Sequence, residues 1–384
     1  MNEKQYTGAT CRTYAKVDLA AIRKNGAIAK SLFPEQMILS VLKADAYGHG
    51  IQGVMPAYET FTDWYAAATV EEAFLIRAQS EKPILLFGPV PKERMVLVAQ
   101  KDITFTVGSS AYAHMLSEQM LSSGMVAKCH LKIDTGLNRS GIRWREESSA
   151  MEEIRAVYAL PALKFTGTYT HLACPEGSLE WEIAHTRLQM NRYKEACAAM
   201  ERAHLPIGIH HCCSTGGALV NPEFRMDMVR LGMLPMGMSY TDESVRELGL
   251  CPALTWISFL TQIEKIEPGE AVSYGCTFRA DKPMKIGIVT CGYADGYRRV
   301  YSNKSSVLIA GKKVRTIGRI AMDYTVIDLT DVPEAELGMP VIMLGSDGIH
   351  TVTAQELSCF GESVSGEVTC VISSRVPRVY TNGR

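Results

Sequence analysis

A chain of 384 residues, 47% of them hydrophobic, can bury a large core and divide into two domains. Its formal net charge of −1 and pI near 6.8 leave no field to draw nucleic acid or an anionic membrane surface. Eleven cysteines lack any paired C-x-x-C framework, and adjacent Cys212 and Cys213 suit neither a zinc site nor an ordinary disulfide, so no metal is expected. Met1 to Lys4 carry no apolar core of a secretory leader, and no run approaches the roughly 18 apolar residues of a membrane span. The expectation is a soluble, cytoplasmic protein.

In chain order, apolar runs alternate with helical patterns up to about residue 240. The runs at 38–42, 64–67, 84–87, 103–106, 130–133, 166–170, 209–212 and 228–230 read as strands. Helical periodicity covers 19–32, 70–79, 91–101, 111–122, 152–159 and 180–203. Eight strands alternating with helices predict an α/β fold, an N-terminal (β/α)8 TIM-type barrel. Beyond about residue 245 the pattern turns to strands, at 254–266, 285–292, 306–309, 313–317 and 324–329, with turns at Pro268-Gly269, Gly311-Lys312 and Asp347-Gly348. Two domains follow, a barrel over 1–245 and a β-rich domain over 246–384. The strand-like residues 15–19 fit either of them.

In a barrel of this kind the chemistry sits at the C-terminal ends of the strands. Reading off those ends gives Lys43, Lys132 to Asp134, His171, Ser214 and Arg230. Lys43 closes a buried strand just before the polar turn Ala44 to Gly50. An amine in such a place is costly unless neutralised, paired or covalently used, and such lysines form Schiff bases with carbonyl compounds, pyridoxal phosphate above all. Phosphate sites in barrels favour the loops after strands seven and eight, here Ser214-Thr215-Gly216-Gly217 and Gly232-Met233. Each residue also has a plainer reading: Lys43 a solvated strand end, His171 a satisfied core histidine, Arg230 a rim salt bridge, the glycines turn punctuation.

Taken together the segments resemble the alanine racemase family, in order and over nearly the whole chain. Lys43 with Tyr47-Gly48-His49-Gly50 is similar to the family's pyridoxal-phosphate lysine and its phosphate-binding tyrosine. Lys132 to Gly141 resembles the segment supplying an often carbamylated lysine and, as Arg139, a substrate-binding arginine. His171 matches the histidine hydrogen-bonded to the second base, and Arg230 the arginine facing the pyridine nitrogen. Ser214, Gly232 and Met233 match the phosphate loops. Val272-Ser273-Tyr274-Gly275 resembles the second-base motif, and Gly292 to Gly296 with Tyr293, and Arg319 to Asp323 with Met322 and Asp323, match the remaining site segments.

The resemblance implies a pyridoxal-phosphate-dependent amino-acid racemase with two bases, Lys43 for one face of the substrate's Cα and Tyr274 for the other. The cofactor is the electron sink for proton removal. Arg139 and the backbone amide of Met322 would hold the carboxylate of a small amino acid. His171 and Arg230 would favour the phenolate of Tyr274 through a hydrogen-bond chain. The family implies a homodimer with shared sites, Tyr274 and Met322 serving the partner's barrel, and a supply of D-amino acid for peptidoglycan.

The chain departs from the family at Cys213, Met236 and Glu176, and with most functional weight at Ser374, where most alanine racemases have a tyrosine. Serine racemases associated with vancomycin resistance resemble this chain in having a smaller polar residue there. Alanine, and serine with it, are the expected substrates. A dedicated serine racemase, a barrel-type pyridoxal-phosphate decarboxylase and a non-catalytic carrier are the alternatives; Tyr274 in its motif and the β-rich domain favour the racemase.

Overall fold

The strand Met37–Val41 and its seven parallel neighbours are buried along most of their combined length, as strands covered on both faces are. In the computed structural model, which describes residues 10–239 and 241–383, their lateral order is Met228–Leu231, Met37–Val41, Trp64–Ala67, Ile84–Leu86, Ile103–Val107, Ala127–Asp134, Leu163–Tyr169 and Ile209–His211. The amide of Arg230 donates to the Cys213 carbonyl at 3.1 Å, linking the last strand to the first. The result is a near-closed eight-stranded parallel barrel with helices between its strands. The strands lie where the apolar runs placed them, with ends shifted by up to three residues.

Local chemistry sets the helix ends. Thr69 accepts from the amide of Glu72 while Glu72 accepts from the amide of Thr69, a capping box opening Val70–Arg77. Ser109 caps Ser110–Ser123, which Gly124 ends with a left-handed φ of 66°.

The chain forms two compact units. One contains Gly26–Ala46 and Tyr58–Leu234 and holds the barrel; the other contains the chain up to Asn25, Tyr47–Ala57 and everything from Pro235 onward. Met1 to Lys4, read above as lacking a leader, lie outside the described residues.

The second unit is mainly strands. The 13-residue strand Leu254–Ile266 pairs with Thr13–Asp18, Pro340–Ser346 and Met284–Val289, and two register shifts let it serve two parts of one sheet. Thr13–Asp18 thus belongs to this sheet, pairing with Arg378–Thr381 on its other edge. The sequence left that strand open because both domains offered it an apolar partner. Pro340–Ser346 and Arg378–Thr381 went unread, the first opening on proline and the second only four residues long. The helix Ile51–Tyr58 contains Pro56, which reads as a break. Among the described residues no helix is long and apolar enough to cross a membrane.

Candidate active site

Past Val41 the backbone turns in an unusual sense. Ala44, Asp45, Ala46 and Tyr47 have φ of 54°, 52°, 56° and 53°, a turn of left-handed helix made without glycine. Each such residue costs roughly 1–2 kcal/mol, and strain of this kind gathers at functional sites. Lys43 opens the turn. Its side chain is exposed while Val41 and Leu42 are buried, so the amine is not sunk at the strand mouth as the apolar run suggested.

Deeper in the barrel, Arg230 is buried and organises its neighbours. Nη2 donates to Nδ1 of His171 at 2.8 Å and to the carbonyls of Thr170 and Cys212 at 3.1 and 2.7 Å. Nη1 donates to Nδ1 of His211 at 3.1 Å. A guanidinium only donates, so both Nδ1 atoms must accept, which puts the protons on Nε2 of His171 and His211. Nε2–H of His211 then donates to Nδ1 of His130 at 3.0 Å, leaving the buried Nε2 of His130 without a partner among the described residues. The arginine thereby sets three tautomers in a row.

Burial, reinforced by Arg230 and Arg139, pulls His171 down to about 2, and burial pulls His130 down to about 3. His171 is therefore neutral at working pH. It can donate from Nε2 but carries no positive charge of its own. Burial also lowers Arg230, whose Nε–H has no partner among the described residues.

Lys132 lies at the end of Ala127–Asp134, donates to Ser140 Oγ at 2.6 Å and packs over the Tyr169 ring. Burial, then Arg139 and Arg230, lowers its pKa to about 8. Buried Asp134 shapes the following loop: one oxygen accepts from the amides of Gly136 and Asn138 at 2.9 and 3.1 Å, the other from that of Arg139 at 3.1 Å. This places Arg139 with Lys132 around a cleft of about 420 Å³ that Thr106, Tyr112 and Arg143 also line.

In the loops after the last two strands, Ser214 precedes Thr215–Val220, and its side chain makes no capping bond. The buried Thr215 accepts instead from the amide of Gly232 at 3.3 Å, and Met233 follows, half-buried. The two loops do meet, through a hydroxyl one residue past the serine singled out by sequence.

In the second unit, Tyr274 is 67% and Met322 53% exposed, with Tyr293 also at the surface. Tyr274 begins a one-turn helix between Ser273 and Gly275, both at positive φ. The amides of Tyr293 and Ala294 donate to the carbonyls of Ala321 and Met322, both at 3.0 Å, joining two of the site segments. Beneath them the fully buried Asp295 takes Arg12 at 3.3 Å and Arg375 at 3.6 Å, while Arg375 reaches Asp323 at 2.7 Å. Ser374, next to that arginine, is exposed.

Tyr47 opens a segment whose glycines are required by close approach. Gly48 and Gly50 have φ of 80° and 88°, and a Cβ on either would lie 2.0 Å from the Thr369 carbonyl or the Tyr380 hydroxyl. Arg378 donates to the carbonyls of Gly48 at 2.9 Å, Ile372 at 2.7 Å, Ser373 at 2.7 Å and Val376 at 2.6 Å.

Sequence reasoning missed His130 and His211 as parts of this arrangement, and named Asp134 and Thr215 without giving either a role of its own. Histidines within the strands Ala127–Asp134 and Ile209–His211 were the available sign.

Two family models match the chain: "Alanine racemase, N-terminal domain" over residues 17–239 and "Alanine racemase, C-terminal domain" over 253–380. The alanine racemase of Halothermothrix orenii is 32% identical over 373 residues, spanning 96% of this chain and 97% of its own. That of Desulforamulus reducens is 34% identical over 372 residues, with 96% and 98% covered. Among solved structures, alanine racemase from Streptomyces lavendulae superposes with a TM-score of 0.89 at 31% identity, covering 97% of this chain and 98% of that one. The Clostridium difficile alanine racemase gives 0.88 at 32% identity, with 98% and 97% covered.

Proposed function

Since the chain belongs to the alanine racemase family and is an isomerase, we propose that it interconverts L- and D-alanine, and L- and D-serine, with pyridoxal 5′-phosphate held on Lys43. The observation carrying this reading is the cationic barrel mouth. Lys43, Lys132, Arg139 and Arg230 stand at strand ends, and Arg230 is held by neutral acceptors rather than by a carboxylate. That arrangement suits a phosphate and a substrate carboxylate. The donor set fits the cofactor: Lys43 for its carbonyl, Tyr47, Ser214, the Thr215 hydroxyl and the backbone of Gly232 and Met233 for its phosphate, and Arg230 for its ring nitrogen. Bound there, it supplies the sink for the electron pair left by the α-proton.

The rest falls to the chain. Arg139 and the Met322 amide hold the substrate carboxylate, with Tyr293 and Asp323 supporting them. Lys43 Nζ takes or returns the proton on one face of Cα, and Tyr274 Oη does so on the other. His171, neutral with its hydrogen on Nε2, donates towards the tyrosine oxygen and favours the phenolate. Because Arg230 only donates, it opposes protonation of the ring nitrogen, tempering the sink and favouring return of the proton to Cα. Lys132, lowered to about 8, is partly neutral, the form that adds CO2, and its carbamate would face Arg139 with a negative charge. The activity would supply D-amino acid for peptidoglycan in the cytoplasm.

Substrate choice rests on Ser374. Removing the usual aromatic ring leaves room near the substrate's β-carbon and offers a hydroxyl to another hydroxyl, which is costly to bury unpaired. L-Serine is expected to turn over at a rate comparable with L-alanine. Ser374→Tyr should shift the serine-to-alanine ratio of kcat/KM towards alanine by roughly fivefold, the worth of about 1 kcal/mol. Chiral analysis of products from both L-amino acids measures this. An unmoved ratio would take Ser374 out of substrate selection, and strong preference for serine would favour the dedicated serine racemase.

The working form is a homodimer with shared sites. Exposed Tyr274, Tyr293, Met322 and Tyr324 support it, since they form the kind of apolar surface that a partner covers. Mixing inactive Lys43→Ala with inactive Tyr274→Phe subunits should restore partial activity, because each mixed dimer retains one complete site. Full activity in a species shown by ultracentrifugation to be monomeric would exclude the shared arrangement.

A further inference from the structure

We propose that Glu72 is a positioning residue for Lys43, holding the left-handed turn through which that lysine is presented; this rests on the reading of Lys43 as the cofactor lysine. One carboxylate gathers four backbone amides. Oε1 accepts from Ala44 at 2.7 Å and Asp45 at 3.4 Å, and Oε2 from Ala68 at 2.9 Å and Thr69 at 3.1 Å. The two pairs follow neighbouring strands of the barrel, Met37–Val41 and Trp64–Ala67.

Lys43 sits between two fixed points. On one side the amide of Leu42 donates to the Ala66 carbonyl at 2.8 Å, the last bond of the strand pair. On the other, the amide of Ala44 reaches Glu72. The residues that follow hold a backbone that alanine and aspartate rarely adopt, with Ala44 at φ 54°, ψ 48° and Asp45 at φ 52°, ψ 51°. An ionised carboxylate accepts at both oxygens, so it can bind all four amides. A carboxamide keeps one accepting oxygen and carries an NH2 with two donors in place of the other, so one pair of amides would face a donor.

Glu72 also belongs to the capping box of its own helix, so the test must separate cap from clamp. Thr69→Ala removes the hydroxyl side of the box and keeps the carboxylate. The measurements are the dissociation constant for pyridoxal phosphate, and borohydride fixation followed by peptide mapping of the labelled lysine across a pH series. Glu72→Gln should weaken retention roughly 10-fold or more and shift the pH dependence of labelling at Lys43. Thr69→Ala should lower the melting temperature while leaving labelling at Lys43 as in the wild type.

Adding Ala44→Gly to Glu72→Gln should recover several-fold of the lost retention, because glycine takes the left-handed conformation unaided. If Glu72→Gln does not fold, Glu72→Asp, one methylene short of spanning both pairs, enters the same assay with the same expectation. Retention within about twofold of wild type, or Glu72 variants behaving like Thr69→Ala, would overturn the proposal. Labelling of another lysine in the wild-type protein would overturn the reading of Lys43, and this proposal with it.

Discussion

Tyr274→Phe is expected to lower kcat/KM for racemisation in both directions by roughly 10²–10⁴-fold, the usual worth of a positioned acid or base. A proton removed from one face must be replaced from the other, and each carrier serves one face only. The phenylalanine ring keeps the packing and deletes the proton, so pyridoxal phosphate should remain bound. Exchange of the α-hydrogen with deuterated solvent should then become lopsided, faster from the enantiomer that Lys43 deprotonates. Tyr274 is exposed and stands in a turn bounded by two positive-φ residues, so little of the fold depends on its hydroxyl. Near-normal racemisation would remove it as the second base.

Lys43→Ala should be more severe, because one amine is asked both to bind the carbonyl of the cofactor and to carry a proton. The loss expected is on the order of 10⁴-fold or more, together with the yellow colour of the purified protein. Absorbance, borohydride fixation and chiral product analysis would report it together. Since the turn is held through backbone amides, the variant should keep its fold, with a melting temperature lowered by no more than the stabilisation that bound cofactor confers. Retained covalent fixation at another lysine would break the assignment.

Much of the barrel could be read because most of its strands are short, largely apolar runs that alternate with helical patterns. Lys43, Lys132, His171 and Arg230 stood out as titratable groups where hydrophobic segments stop. What escaped was made by contacts distant in sequence. Glu72 lies 28 residues from Ala44, and nothing in Lys-Ala-Asp-Ala-Tyr announces a left-handed turn, since the sign normally sought is glycine. His130 and His211 lie inside strands, where a single histidine reads as core, and only the folded barrel sets His211 beside Arg230 and His130 beside His211. Thr215 stood only as a member of its loop, because a loop's hydroxyls cannot be ranked before the backbone orients them. That His171 is neutral follows from its burial, which spacing does not show.

Arg378 has a consequence for how such a protein can change. It holds the loop around Ser374 entirely through main-chain oxygens, at positions 372, 373 and 376. None of those bonds involves the side chain at 374, and Ser374 itself is exposed. The loop is therefore a socket whose shape is indifferent to what is plugged into it. Tyrosine, serine or another residue at 374 can be exchanged with little toll on folding. On the role proposed for Ser374, mutational tolerance and functional leverage would coincide at one residue, a combination that makes specificity easy to revise without disturbing the scaffold.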